Sequence, residues 1–404
     1  MWGTALVAVL LMQAVDYNAE GWKALESKDY AAAVQLFAKA VEANPKDYAA
    51  LFNLALSYSL SGKEAEAIPV YRKVLELKPG LYEAELNLGI LLLKQNKPDE
   101  AATLLQAAAT SQPMEFRPVF YLAEALFAGG RYSNAVEAFQ RATERDPKSA
   151  EAQLGLARSL AKQKKLDEAA QYFWKAAALD GTYKDALLEL AALYEQAGRP
   201  QEAIALYTQF PNDVGAREHL GELLLEAQRP AEAVPHLEWA VGKSPTTANR
   251  LALATAYLKA NQPEKGLSLL AGVVKDEPNN NELRLLYGRE LRDQKKYAAA
   301  AAEFAKVTEA APALSEAWSE LAAMLILLEN YPSALAALDH VRALGAEKAG
   351  HVFYRAVVLD KLHQTKLALE SYEKFLAISQ GKSPDHEFQA RQRIRTLRRE
   401  LERR

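Results

Sequence analysis

Pro45, Pro79, Pro113 and Pro147 stand 34 residues apart. Proline lacks a backbone N–H and restricts the residue before it, so each marks a place where a helix stops. A stop repeated at a fixed interval points to stacked copies of one small unit, not to a single enclosed core. Numbering each unit so that its proline is the thirty-second position divides the chain into eleven units. They start at Ala14, Tyr48, Tyr82, Phe116, Ala150, Lys184, Val214, Thr247, Asn281, Ser315 and Ala349.

Three columns hold through all eleven. The eighth position is always Gly or Ala, as in Gly21, Ala55, Gly89 and Ala123. The twentieth is Ala throughout, from Ala33 to Ala368, except for Gly266. The twenty-fourth is always large and apolar, as in Phe37, Tyr71, Leu105 and Phe139. Each unit also carries two segments of about a dozen residues with apolar spacing of three and four, the helical period. Short polar turns such as Ser61-Gly62-Lys63 and Gly129-Gly130-Arg131 separate them. Small residues at eight and twenty let two helix backbones approach. The bulky residue at twenty-four fills the space they leave. One such hairpin cannot bury its own apolar face, so neighbours must stack.

On these residues the chain resembles the tetratricopeptide repeat. FNLALSY (52–58) and EAWSELAAM (316–324) are similar to that motif's first helix, and DYAAAVQLFAKAVEANP (29–45) to its second. The resemblance runs over about residues 14–381. It implies an all-α fold, a right-handed superhelical solenoid of about eleven helical hairpins, with a groove lined by the first helices.

The period breaks once. The sixth unit, Lys184 to Val214, is 30 residues long. Its second helix is expected to stop near Phe210, because Pro211-Asn212-Asp213 is a turn sequence ending in a helix N-cap residue. We therefore expect units one to six over residues 15–210 and units seven to eleven over 211–381. Beyond Gly381, Ser383-Pro384-Asp385 reads as a helix start. Ala390, Ile394, Leu397 and Leu401 then recur at helical spacing on an arginine-rich background. Residues 382–404 are expected to form a basic C-terminal helix that caps the array, as a solenoid end requires.

Residues 1–14 differ in kind. WGTALVAVLLMQA (2–14) carries no charge and is too short to span a bilayer, which takes about 20 apolar residues. It suits a signal-peptide core cut after Ala14, which implies export to the periplasm or cell surface of a bacterium; without such a signal the chain is cytoplasmic. No integral membrane span is expected.

Little in the sequence speaks for chemistry. There is no cysteine, which excludes disulfides, zinc fingers and cysteine nucleophiles. The formal charge of −3 gives no basic footprint for nucleic acid. Gly242-Lys243-Ser244 and Gly381-Lys382-Ser383 lack the earlier glycine of a phosphate loop, since Leu237 and Leu376 stand there; both read as inter-repeat turns. The six histidines, His219, His236, His340, His351, His363 and His386, do not pair at metal-ligand spacing and read as scattered helix-surface residues. The expectation is a chain that is not an enzyme, with no catalytic residue, no cofactor and no metal site.

Function then rests on the groove that the resemblance implies, formed by positions two, five, six, nine and twelve of the first helices. In the early units these are Trp22, Phe52, Leu56, Leu86, Ile90, Phe120 and Phe127, with Asn53 and Asn87 in register at position six. Carboxamides so spaced can bond both the N–H and the C=O of an extended peptide. Further along the face carries Glu124, Arg158, Glu189, Glu222, Arg289 and Arg292, with neither sign dominant. The cations that would clamp a chaperone's carboxyl terminus are absent. The expected role is a non-catalytic scaffold binding protein or peptide segments or assembling a complex. The alternative is a regulatory or substrate-recruiting subunit whose catalytic partner, such as a glycosyltransferase, is a separate chain. The oligomeric state is left open.

Overall fold

The computed structural model describes residues 16–402. The segment expected to act as a signal, residues 1–14, lies outside the described residues.

Among the described residues the chain is all-α, with 23 α-helices, one short 3₁₀ turn and no strand. The first five hairpins are α1 (Tyr17–Glu26) with α2 (Tyr30–Ala43), α3 (Tyr48–Leu60) with α4 (Glu64–Leu77), and α5 (Tyr82–Lys94) with α6 (Pro98–Ser111). They continue with α7 (Phe116–Ala128) and α8 (Tyr132–Arg145), then α9 (Ala150–Lys162) and α10 (Leu166–Leu179). The sixth unit holds α11 (Ala186–Gln196) and α12 (Pro200–Tyr207). There follow α13 (Val214–Glu226), α14 (Pro230–Lys243), α15 (Thr247–Lys259), α16 (Pro263–Asp276), α17 (Asn281–Asp293) and α18 (Tyr297–Ala310). The last hairpins are α19 (Ser315–Leu327) with α20 (Tyr331–Ala343), and α21 (Ala349–Lys361) with α22 (Thr365–Ser379), before α23 (Pro384–Glu402). The chain divides into two compact units, Met1–Leu206 and Tyr207–Arg404.

The columns are the core. Every alanine at position twenty is fully buried, and so are the position twenty-four residues Phe37, Tyr71, Phe139, Phe173 and Phe304. Positions eight and twenty-four meet inside one hairpin. A Cβ added at Gly21 would lie 2.8 Å from the Phe37 ring, at Gly89 2.6 Å from Leu105, at Gly221 2.4 Å from Leu237 and at Gly288 2.6 Å from Phe304. The small residue is therefore the seat of the large one. At position twenty, a Cβ on Gly266 would come within 3.0 Å of the Ala254 carbonyl oxygen on the facing helix. The helix crossing is closed to anything larger than alanine.

Each hairpin turns in one way. The N–H of position sixteen bonds the C=O of position eleven, as in Lys63 to Tyr58 at 2.9 Å and Lys296 to Leu291 at 2.8 Å. Position fifteen lies between them with φ of 57° to 75° in all eleven units. This is the Schellman closure of a helix end, which needs one left-handed residue. Glycine fills that place at Gly62, Gly130 and Gly198, but Lys28, Lys164, Gln228, Lys295, Glu329 and His363 adopt the same conformation.

Several expectations shift in detail. α12 ends at Tyr207, three residues before the expected stop at Phe210, and the Phe210 N–H bonds the Tyr207 carbonyl in the turn that follows. Asp213 caps α13 by accepting from the Ala216 N–H at 2.7 Å. Gly242 and Lys243 close α14 itself, so that tripeptide sits on a helix end and not wholly in a turn. The histidines are not merely scattered over helix surfaces. His340 stacks on Trp318 at 4.0 Å, and His386 on Phe353 at 4.4 Å. His236 Nδ1 meets the Arg217 guanidinium at 2.8 Å, and His363 is a left-handed turn residue.

The final helix packs on the last hairpin. Ala390, Ile394 and Leu397 of α23 are buried against Val352, Phe353, Ala356 and Leu359 of α21 and against Tyr372 and Phe375 of α22. Polar contacts fix its start. Glu387 accepts from Ser379 Oγ at 2.6 Å and from the Gly381 N–H at 2.6 Å, and these bonds hold its carboxyl below the usual range. Arg393 clasps Asp360 through two bonds of 2.7 Å. The arginine-rich face thus anchors the helix to the last hairpin.

Candidate functional site

In the first unit, position nine of consecutive first helices reads Trp22 on α1, Leu56 on α3, Ile90 on α5, Glu124 on α7 and Arg158 on α9. Trp22 is 48% exposed and meets Phe37 edge-on at 6.3 Å. Leu56 and Ile90 are half-buried, as are Leu93 and Phe127 at position twelve. The hairpin geometry explains this. Position eight is locked against position twenty-four, so position nine, about 100° round the helix, turns away from the hairpin crossing. The result is a row of partly open apolar side chains on the first-helix face.

Positions five and six lie deeper than the sequence reading placed them. Phe120 is 9% exposed, stacked on Phe116 at 5.3 Å and edge-on to Phe139 at 6.1 Å. Phe52 is half-buried and edge-on to Tyr71 at 5.8 Å. Asn53 is 6% exposed, and Asn87 Nδ2 donates to the Tyr71 hydroxyl at 3.4 Å. The two asparagines therefore do not present a pair of open carboxamides.

The charges along this face are largely spent on one another. Arg158 reaches the next repeat, where its Nε lies 2.9 Å and a terminal nitrogen 2.8 Å from Glu189. The second unit repeats this relation between neighbouring repeats. Arg289 contacts Glu320 at 3.1 Å and Glu316 at 2.6 Å, while Arg292 contacts Glu320 at 2.7 Å. Glu124 differs. It is half-buried, burial pushes its carboxyl above the ordinary range, Arg158 opposes that shift and Glu151 adds to it.

The second unit carries a further feature. On the second unit, Ser319, Ala323, Ile326, Leu327, His351 and Tyr354 surround a hollow of about 290 Å³. Ala323, Ile326 and Leu327 occupy positions nine, twelve and thirteen of α19, and Tyr354 position six of α21. Their apolar character at these positions was the available signal. His351 is held there because its Nδ1 accepts the Lys348 N–H at 3.0 Å at the start of α21.

No helix among the described residues is long and apolar enough to cross a membrane. The arrangement offers contact surface and, at Glu124, a half-buried carboxylate on the first-helix face.

Comparison with known proteins bears on the family. One model described as tetratricopeptide repeat matches residues 18–82, 86–143 and 122–184, and a second with the same description matches 160–224 and 224–289. No curated protein matches significantly. Similar solved structures include a MamA fragment from Desulfovibrio magneticus RS-1, 22% identical over 41% of this chain and 94% of that one, with a TM-score of 0.39. MamA of AMB-1 is 26% identical over 42% and 99%, with a TM-score of 0.40. Scores this low carry no argument about shape or role. The family rests instead on the repeat matches, which reach from residue 18 to residue 289, and on the hairpins described above. The chain belongs to the tetratricopeptide repeat family.

Proposed function

We propose that this chain is a non-catalytic scaffold that holds protein partners by binding peptide segments along the first-helix face of its first unit. The observation that carries this is the row Trp22, Leu56, Ile90, Leu93 and Phe127, partly open on the first helices of consecutive hairpins. A run of apolar side chains left open on a rigid surface is a liability unless something covers it. The repeats and the cap account for residues 17–402, so contact surface is the main thing the chain offers.

The test compares the wild type with a Leu56→Arg, Ile90→Arg double variant whose thermal melt is unchanged. After cross-linking in the native host, mass spectrometry should show partners lost from the variant. An identical partner set would overturn the reading.

We also propose that the chain is exported and that its mature form starts at Val15. The support is the uncharged run 2–14, which ends where the first repeat begins. Intact-mass measurement of the native protein should give that start. A retained Met1 in the cytoplasmic fraction would contradict it.

A further inference from the structure

Glu124 breaks the apolar row, and its surroundings say what it is for. It follows Ile90 at position nine of the next first helix, and α7 packs against both α5 and α9. Its carboxylate makes no hydrogen bond or ion pair among the described residues. The obvious internal partner, Arg158, is turned away to Glu189, with bonds of 2.9 and 3.2 Å from Nε and a contact of 2.8 Å from a terminal nitrogen. Position two of the flanking helices adds negative charge at exposed Glu83 on α5 and Glu151 on α9, while α7 itself carries exposed Arg117 there. A half-buried carboxylate beside apolar side chains is poorly screened, so an incoming cation gains more there than at an open surface. Arg117 and Arg158 disfavour a run of cations, which limits the match to a single one.

We propose that the first-helix face of the first unit takes an apolar peptide segment bearing one lysine or arginine, whose cation sits on the Glu124 carboxylate. This rests on the scaffold reading above and adds the partner's chemistry to it. Ile90 and Leu93 on one side and Phe127 on the other receive the apolar flanks. Glu124 selects against segments that offer a neutral or acidic side chain at that point.

The probe is a random-peptide display library selected on the full chain, with the tightest peptide then measured by fluorescence anisotropy. Selected sequences should be apolar with one basic residue. Glu124→Gln should weaken the chosen peptide about tenfold, and replacing the peptide's basic residue by norleucine should weaken it as much. In the double change the two losses should not add. Glu124→Lys should instead prefer the peptide with glutamate at that place. Circular dichroism melts confirm that each variant is folded. If peptides are selected and lost by the Leu56→Arg, Ile90→Arg double variant, yet show no basic preference and no response to Glu124→Gln, the assignment to Glu124 falls while the scaffold reading stands. If no peptide is selected, or if the Leu56→Arg, Ile90→Arg double variant leaves binding intact, the scaffold reading fails and this inference fails with it.

Discussion

At the scale of single residues, two positions make opposite demands. Ala135 is fully buried at the crossing of α7 and α8. Ala135→Leu should overpack that crossing and cost roughly 1–3 kcal/mol, seen as a lower midpoint in urea. An unchanged midpoint would contradict the assigned register. Glu124 is the reverse case, a residue that weakens the fold it belongs to. Burial raises its carboxyl in the folded chain, so the folded state binds a proton more readily than the unfolded one. The associated stability is present below the ordinary glutamate range and is lost as pH rises through the raised value. Glu124→Gln should therefore stabilise the protein at neutral pH, with the gain vanishing in acid. A gain that persists unchanged in acid would mean that charge is not its cause. Stability at neutral pH and the proposed recognition of a cation then pull in opposite directions at one side chain.

At the scale of the hairpin, the left-handed residue at position fifteen is the critical joint. Gly62 has φ of 75° and nothing within 4 Å of an added Cβ, so substitution there tests backbone strain alone. Gly62→Val should cost about 1–2 kcal/mol. Lys295 has φ of 58° at the same joint, and Lys295→Gly should be neutral or stabilising by less than about 1 kcal/mol. The difference in melting midpoint between the two variants is the measurement; equal effects would remove the strain argument. Little of this joint was legible in the sequence. The turns at Gly62 and Gly130 were visible because glycine stands there, but Lys28, Lys164, Gln228, Lys295, Glu329 and His363 carry no such mark. The flanking helices impose the conformation by closing the bond from position sixteen to position eleven. By contrast the columns at eight, twenty and twenty-four were fully legible, because close packing leaves few residue types that fit.

At the scale of the whole molecule, the charged side chains of the first-helix face decide which partners are disfavoured. Arg158 is committed to Glu189, and Arg289 and Arg292 to Glu316 and Glu320. Breaking such a pair to greet an anionic ligand exchanges one contact for another and gains little. A peptide ending in several acidic residues should therefore show no saturable binding in anisotropy titrations. Tight, salt-sensitive binding of that peptide would show that the pairs open readily. The second unit carries a hollow of its own at Ile326, Leu327, His351 and Tyr354.

The 34-residue period by itself determined the two-helix unit, its phase and the side chains that point inward. Those follow from the helical repeat and from sterics within one hairpin, which are local and recur in every copy. It also marked the apolar face of the last helix, since Ala390, Ile394 and Leu397 share one helical face and are buried. Only the tertiary structure decided how deep Asn53 and Phe120 lie, which arginines are already held, and that Glu124 is left over. The arginine pairings depend on contacts between neighbouring repeats, about thirty residues apart in the chain, as for Arg158 with Glu189 and Arg289 with Glu320. The pitch with which one hairpin stacks on the next sets these pairings, and no pattern confined to a single repeat encodes that pitch.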